Sequence, residues 1–137
     1  MDIRPVPAAA TYDLRHRVLW PDKPAAYVEL PEDEAGLHYG AFEAGRLLSV
    51  VSLFVDGAEA RFRKFATEPA EQGRGIGSAL LRHIMHEAAR RGARRLWCDA
   101  RQEKAGFYQK FGFSVDGPPF YKGPIPYVRM SCAVPTQ

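Results

Sequence analysis

Glycines alternate along a short segment that lies between a predicted strand and a predicted helix. The segment reads Gln72-Gly73-Arg74-Gly75-Ile76-Gly77-Ser78. Glycine allows positive φ values and lets a ligand approach where a Cβ would block it. The loop leads directly into a helix N-terminus, where unpaired N–H groups and the helix dipole favour an anion. The segment therefore predicts a pyrophosphate site, to which Arg74 would add a charged contact.

The spacing of this segment departs from two common phosphate-binding motifs. Ser78 stands where a Rossmann G-x-G-x-x-G needs its third glycine, and the Gly-Lys-Ser/Thr of a P-loop is missing. A glycine-rich turn without a ligand is the structural alternative. In the preceding strand the apolar alternation slips at Lys64, which predicts a β-bulge, a feature over-represented beside active sites.

Two motifs together resemble a known enzyme family. The run from Gln72 to Gly77 is similar to the Q/R-x-x-G-x-G/A signature of the GNAT superfamily of N-acetyltransferases. The run Phe107-Tyr108-Gln109-Lys110-Phe111-Gly112-Phe113 resembles the family's F-Y-x-x-x-G-F motif, on a helix after the next strand. The order of strands and helices also matches, so the resemblance covers nearly the whole chain.

The resemblance implies a binding site for acetyl-CoA as co-substrate. The backbone of Gln72 to Ser78 would hold the pyrophosphate, and the backbone of Phe65, Ala66 and Thr67 would pair with the pantetheine arm. Tyr108 would act as a general acid that protonates the departing CoA sulfur, since a phenol of pKa about 10 stays protonated at neutral pH. An aromatic that only fills the core is its structural alternative. Arg101 stands where many relatives carry a cofactor-binding asparagine, which leaves that contact open.

The expected activity is transfer of an acetyl group from acetyl-CoA to a primary amine of a small molecule or peptide, by direct attack. Direct attack is favoured over a covalent intermediate because Cys98 and Cys132 lie in apolar strands with no partner base nearby in the sequence. The general base is left open between Glu59, Glu68 and an ordered water. The identity of the acceptor cannot be derived from the sequence.

Two other classes of function stay open at this stage. The first is a non-catalytic acyl-CoA-binding or regulatory module on the same scaffold, which would not need Tyr108. The second is a nucleic-acid-binding protein, because residues 72–95 contain six arginines against one acid, Glu87. An RNP1 pattern, zinc-finger spacing and interleaved aromatics are all missing, so a solvated helix face explains the arginines better. We therefore expect no nucleic-acid partner.

The length of 137 residues suits a single domain, residues 1–137. We expect an α+β fold with one mixed, mostly antiparallel sheet of about six or seven strands, helices on both faces and splayed central strands. Strands are predicted at 2–6, 37–43, 46–55, 59–67, 95–100, 113–116 and 126–134, and helices at 8–19, 77–91 and 103–111. Residues 21–36 are predicted as loop, with room for one short helical turn.

The remaining features carry weaker signals. His83, His86 and Glu87 match no metal-binding pattern, so no metal is expected. His38 and the acidic residues 29–34 are candidates for the acceptor side, but a structural role for His38 and a solvated loop for 29–34 are the preferred interpretations. Without an apolar N-terminal run or a spanning segment, a cytoplasmic protein without membrane contact is expected. A homodimer is left open.

Overall fold

The computed structural model describes residues 1–135, and within them eight strands form one mixed, mostly antiparallel sheet. The strands are β1 (Asp2–Val6), β2 (Leu37–Glu43), β3 (Arg46–Asp56), β4 (Glu59–Thr67), β5 (Arg95–Arg101), β6 (Ser114–Val115), β7 (Phe120–Lys122) and β8 (Ile125–Ala133). Their order is β1-β2-β3-β4-β5-β8-β6, with β7 also paired to β8. The α+β class is confirmed. The strand count is eight because the prediction missed β7, a three-residue strand behind two prolines.

The helices are α1 (Tyr12–Leu14), α2 (Ile76–Arg90) and α3 (Ala105–Gln109). The long helix α2 agrees with the prediction to within one residue at each end. The predicted helix 103–111 is shorter, because a 3₁₀ turn at Gln102–Lys104 replaces its start. Among the described residues, none of these helices is long and apolar enough to cross a membrane.

The predicted helix 8–19 is not one regular helix. A 3₁₀ turn (Ala8–Thr11) is followed by the single turn α1 and then by a π-helix (Arg15–Leu19). The loop that follows contains two 3₁₀ turns, Ala25–Val28 and Asp33–Ala35, where the sequence predicted at most one. The apolar periodicity gave no sign of the change in winding at Arg15. Short π-helical segments are rare and are frequent at functional sites.

The chain groups into two compact units, and the first comprises residues 1–54 and 62–87. Strand β3 is buried from Leu48 to Leu53, as its continuous apolar run predicted. Leu14 packs with Val50 and Ala66, whereas Ile76 packs with Ala41 and Leu48. Ala41 pairs with Ser49, the residue before Val50 in β3. Because successive side chains of a strand point to opposite faces, the contacts of Leu14 and of Ile76 lie on opposite faces of the sheet. Helical segments therefore cover both faces of the sheet in this unit, as predicted.

Strand β4 is distorted at Lys64. This residue has a φ of +56°, in the left-handed region that residues with a Cβ rarely adopt. A strained strand residue interrupts the alternation of side chains, and such residues cluster at functional sites. The left-handed backbone thus lies at the residue where the alternation slips, and the β-bulge itself stays a prediction.

The second unit comprises residues 55–61 and the chain from residue 88 onward. Here the start of β4, Glu59–Arg61, pairs in parallel with Arg95–Trp97, and β5 pairs along its whole length with β8. The predicted separation of the two central strands beyond these residues stays a prediction. In β8 the alternate residues Val128, Met130 and Cys132 are buried, and Tyr127, on the other face, is buried as well. The reason is β7, because Phe120 stacks on the Tyr127 ring with centroids 5.9 Å apart.

A buried ion pair holds the π-helix in the first unit. The Arg15 guanidinium donates to both Asp33 carboxylate oxygens at 2.8 and 2.9 Å, and both side chains are almost fully buried. Arg15 also donates to the Val28 carbonyl and to Ser52 Oγ, each at 2.9 Å. The pair thereby connects the π-helix, both 3₁₀ turns of the following loop and strand β3.

His38 completes this network. One ring nitrogen, Nε2, lies 2.8 Å from the Asp33 carbonyl, which only accepts, so Nε2 carries the proton. The other, Nδ1, lies 2.7 Å from Ser52 Oγ. The structural role preferred for His38 agrees with this position. The interpretation of residues 29–34 as a solvated loop is wrong for Asp33, which is buried because Arg15 neutralises it.

Burial alone would raise the pKa of Asp33, but hydrogen bonds from Arg15 and from the Leu30 N–H hold that pKa below its usual range. We expect Arg15→Met to lower the free energy of unfolding by about 3–5 kcal/mol, because it leaves a buried carboxylate without its partner. Urea denaturation measures this loss. The matched control is Arg17→Met, which removes an exposed ion pair in the same π-helix and should cost about 1 kcal/mol or less. Equal losses in the two variants would contradict the assignment.

Candidate active site

The glycine-rich loop has the backbone that an anion site needs. Gly73 and Gly75 have φ values of +83° and +82°, and no atom lies within 4 Å of a Cβ built on either residue. Glycine is therefore required at these two positions by conformation and not by lack of space. Residues 72–75 are exposed, so the loop is open to a ligand.

Gly77 has a different reason to be glycine. It lies inside α2 without a left-handed backbone, and a Cβ there would lie 3.4 Å from both Phe65 Cζ and Thr67 Oγ1. These contacts are at the near limit of ordinary van der Waals distance, so glycine lets the helix start lie against the end of β4. The three glycines share one prediction from the sequence, but the structure gives two reasons for them. Gly73 and Gly75 have a left-handed backbone, whereas Gly77 allows close packing of α2 on β4.

The loop ends at the start of α2, where the helix dipole is positive. The Ala79 N–H donates to the Gly75 carbonyl at 3.0 Å, which closes the first turn. The N–H groups before it, of Ile76, Gly77 and Ser78, have no acceptor within the helix. Ile76 is only 3% exposed and anchors this end of the helix on the sheet. The helix start is thus held in place with donors available for an anion.

Arg74 does not point to an open anion site in this structure. Its guanidinium pairs with the Glu43 carboxylate at 2.8 Å and also with Glu71. The hydrogen bond from Arg74 holds the pKa of Glu43 below its usual range, so both partners stay charged. A phosphate that binds Arg74 must therefore replace at least one of these carboxylates.

Side chains fix the segment predicted to bind the pantetheine arm. Ser49 Oγ donates to the Ala66 carbonyl at 3.2 Å and lies 2.8 Å from Thr67 Oγ1. The Gln72 side-chain amide donates to the Thr67 carbonyl at 3.2 Å, so Gln72 links the loop to the end of β4. Ala66 is buried, and Phe65 and Thr67 point towards α2.

Both carboxylates considered as general base are held by arginines. Glu68 accepts two hydrogen bonds of 2.9 Å from Arg17, which hold its pKa below the usual range and make it a weaker base. Glu59 lies at the first residue of β4, at the other end of the strand from Phe65–Thr67, and pairs with Arg95 at 2.7 Å. These ion pairs disfavour both carboxylates, so an ordered water is the remaining candidate for the general base.

In the second unit, Tyr108 is a buried phenol on α3. Its side chain is 9% exposed and has the rings of Phe107 and Phe113 edge-on, with centroids 5.2 and 5.9 Å away. Burial, with a smaller contribution from Cys98, raises the pKa of Tyr108 well above its ordinary value. The phenol is therefore protonated at every physiological pH. Gly112, with a φ of +89°, makes the turn that brings Phe113 back beside it.

The other candidate residues of this unit are Arg101, which is hydrogen-bonded, and two buried cysteines. The Arg101 guanidinium Nε donates to the Tyr127 hydroxyl at 3.3 Å. Burial raises the pKa of the Cys98 thiol far above its ordinary value and that of Cys132 to about 11. Two protonated, buried thiols are poor nucleophiles, which agrees with direct attack. Within residues 1–135, no group of His, Cys, Asp and Glu side chains is arranged to hold a metal ion.

The α+β fold and the glycine-rich loop before α2 agree with the class expected from the sequence, the acyl-CoA-dependent acetyltransferases. A family model described as an acetyltransferase (GNAT) domain matches residues 16–134. The chain therefore belongs to the GNAT acetyltransferases, and it is an enzyme of this family.

Individual relatives agree with this assignment. An uncharacterized N-acetyltransferase, YitI of Bacillus subtilis (strain 168), is 31% identical over 129 residues, 88% of this chain and 87% of YitI. The ribosomal protein bS18-alanine N-acetyltransferase of Escherichia coli (strain K12) is 29% identical over 113 residues, 80% of this chain and 74% of that enzyme. An aminoglycoside 6'-N-acetyltransferase solved in complex with coenzyme A has a TM-score of 0.80 at 16% identity, covering 100% of this chain and 99% of the other. Related acetyltransferases thus bind coenzyme A and act on amine acceptors as different as a ribosomal protein and an aminoglycoside.

We expect Gly75→Ala to weaken acetyl-CoA binding by about tenfold or more, because a left-handed residue with a Cβ costs about 1–2 kcal/mol and displaces the N–H groups around it. Isothermal titration calorimetry with acetyl-CoA measures the change. Gly106→Ala is the control, since Gly106 is exposed in α3 with no atom near its Cβ and without a left-handed φ. Unchanged affinity in Gly75→Ala would show that the loop does not hold the cofactor.

Proposed function

We propose that this enzyme transfers the acetyl group of acetyl-CoA to a primary amine by direct attack. The observation that carries the proposal is the exposed loop with two left-handed glycines at the start of α2, in a chain that belongs to the GNAT acetyltransferases. Such a loop presents N–H groups to a pyrophosphate, which would hold the cofactor by the part that does not react.

The pantetheine arm would extend from this loop along Phe65–Thr67. An added strand needs a backbone segment held in fixed geometry, and hydrogen bonds from Ser49 and Gln72 hold this one. Arg101 is the further cofactor contact proposed, and its hydrogen bond to Tyr127 would orient the guanidinium. Arg74 would bind a phosphate oxygen after leaving Glu43.

The chemical step then needs a neutral amine beside the thioester. The amine nitrogen attacks the carbonyl carbon, the carbon–sulfur bond breaks, and the nitrogen loses a proton to a water molecule. Holding both reactants in place supplies much of the rate enhancement. Tyr108 would donate its hydroxyl hydrogen to the sulfur, so that CoA leaves as a thiol, and the proton released from the amine to water would then restore the phenol.

The raised pKa of Tyr108 has two opposite effects on this role. It keeps the donor form present, but it also opposes complete transfer of the proton, because a buried phenolate is costly. Stabilisation by a hydrogen bond to the sulfur therefore comes first, and transfer follows as the negative charge on sulfur develops. Tyr108 would therefore stabilise the transition state, in which the sulfur carries developing negative charge, more than it stabilises the bound thioester.

One substitution tests the role proposed for Tyr108. We expect Tyr108→Phe to reduce kcat by on the order of 10²-fold, because it removes the donor while keeping the ring. CoA release with an amine panel gives kcat, and calorimetry should give an unchanged Kd for acetyl-CoA. Tyr121→Phe is the control, since Tyr121 is 69% exposed on β7. Equal kcat in wild type and Tyr108→Phe would remove Tyr108 as the acid.

The pH profile tests the protonation state independently. The pKa of Tyr108 is raised, so its acid form persists throughout the accessible range, while the acceptor amine becomes reactive as it loses its proton. We expect kcat/KM to rise with pH and then to remain level up to about pH 10, the ordinary pKa of a phenol. An alkaline decline well below that value that disappears in Tyr108→Phe would contradict a buried, protonated tyrosine.

A further inference from the structure

Four charged side chains join the glycine loop to the turn between β2 and β3. The Arg74 guanidinium pairs with Glu43 at 2.8 Å and also with Glu71, and Arg46 Nη1 lies 3.8 Å from Glu71 Oε1. These four residues, Glu43, Arg46, Glu71 and Arg74, form the loop network, and all belong to the first unit. Two acids balance two arginines, so the network as a whole offers an incoming anion no net positive charge.

The hairpin turn places Glu43 and Arg46 side by side. Ala44 and Gly45 have φ values of +51° and +79°, positive at both central residues as a type I′ turn requires. Glu43 and Arg46 are directly opposite each other in the register of β2 and β3. Side chains at such positions lie on the same face of the sheet and within reach of one another. Arg46 is thus a second cation beside Glu43.

The two carboxylates that hold Arg74 are not equally able to leave it. Glu71 ends the 3₁₀ turn Pro69–Glu71, three residues before Arg74 in the same loop, and its side chain is 18% exposed. Glu43 lies on a different element, at the end of β2, and its side chain is 41% exposed. Water therefore solvates Glu43 more easily than Glu71 when the contact with Arg74 opens. Glu43 is the partner that a phosphate would replace.

Arg46 can take up the carboxylate that Arg74 releases. Its side chain is 67% exposed, and its contact with Glu71 is at the limit of an ion pair. The hydrogen bond from Arg74 is the main reason why the pKa of Glu43 lies below its usual range, and Arg46 lowers this pKa further at longer range. Moving Glu43 from Arg74 to Arg46 therefore keeps this carboxylate beside a cation.

Resting on the proposed function, we propose that Glu43 and Arg46 are positioning residues for the pyrophosphate of acetyl-CoA and act on it through Arg74. In the free enzyme Glu43 holds Arg74. When the pyrophosphate binds, Glu43 passes to Arg46, Arg74 turns to a phosphate oxygen, and Glu71 keeps Arg74 at the loop. Glu43 thus limits the affinity for the cofactor, because the carboxylate and the phosphate compete for one guanidinium.

Calorimetry with acetyl-CoA at low ionic strength tests the role of Glu43. We expect Glu43→Gln to lower the Kd by about three- to fivefold, the size typical of an exposed ion pair. Asp56→Asn is the matched control, because it removes the same charge at the other end of β3, and it should leave this Kd unchanged. An unchanged Kd in Glu43→Gln, or an equal gain in Asp56→Asn, would overturn the proposal.

A double-mutant cycle shows whether Glu43 acts through Arg74. If Glu43 only repelled the phosphates through space, Glu43→Gln would tighten binding equally with and without Arg74. We expect the gain to disappear in the Arg74→Met background, because no guanidinium is left to be released. An equal gain in both backgrounds would rule out the exchange of partners.

Substitution of Arg46 has the opposite expected effect. Without Arg46, Glu43 loses the arginine opposite it in the hairpin, so it should hold Arg74 more firmly. We expect Arg46→Met to raise the Kd for acetyl-CoA by about threefold, and to leave it unchanged in the Glu43→Gln background. Arg94→Met, which removes an exposed arginine of the second unit, is the control for the overall loss of charge. A rise of the same size in the Glu43→Gln background would make Arg46 a direct phosphate contact and refute its positioning role.

Inorganic pyrophosphate and CoA release separate this inference from the proposed function. Pyrophosphate binding that tightens in Glu43→Gln, without CoA release from any amine of a panel, would refute the transferase and leave the exchange of partners intact. CoA release from one of the amines, with equal affinities of wild type and Glu43→Gln for acetyl-CoA and for pyrophosphate, would refute the exchange and leave the transferase intact.

Discussion

The direction of a few backbone N–H groups at the start of α2 is the constraint on which the proposed site depends. Side chains offer little free positive charge to a pyrophosphate at this loop, because Arg74 already pairs with Glu43 and Glu71. The backbone donors of Ile76 and the residues after it have no such competitor within the helix. Gly73 and Gly75 adopt left-handed backbone in the loop before α2, and the burial of Ile76 holds the helix start on the sheet. In the proposed site, backbone geometry would therefore be the main source of affinity, and the arginine would be secondary.

Local signals in the sequence were sufficient for most of the fold. Strands β1, β2 and β4 have the predicted bounds, because their periodicity is bordered by turn residues such as Gly45 and Gly57. The distortion at Lys64 was also predictable, since a slip in alternation is a local pattern. Strand β7 was missed because three residues behind two prolines show no periodicity, and it forms only by pairing with β8. That pairing also buries Tyr127, which lies on the face of β8 opposite to Val128 and Met130.

The parts of the candidate site that belong to continuous sequence motifs were predictable. The parts that depend on contacts between residues far apart in the sequence were not. The glycine loop and Tyr108 belong to continuous motifs, and the structure gives them a suitable backbone and a protonated phenol. The Arg15–Asp33 pair joins residues 18 positions apart, one in a predicted helix and one in a predicted loop. The ionic partners of Arg74 and Glu68 are 31 and 51 positions away along the chain. Such partners change what a charged residue can do, and no spacing rule reveals them.

The π-helix connects the buried Arg15–Asp33 pair to Trp20. A buried ion pair adds little net stability compared with apolar packing, because both charges lose their water. What it does supply is a fixed geometry, since the two-pronged contact permits only one orientation of Arg15. The π-helix that begins at Arg15 ends beside Trp20, so the ion pair fixes where the aromatic ring projects. Replacing the pair by apolar residues can preserve stability while loosening the turn, so the geometry of this turn and the folding stability need not change together.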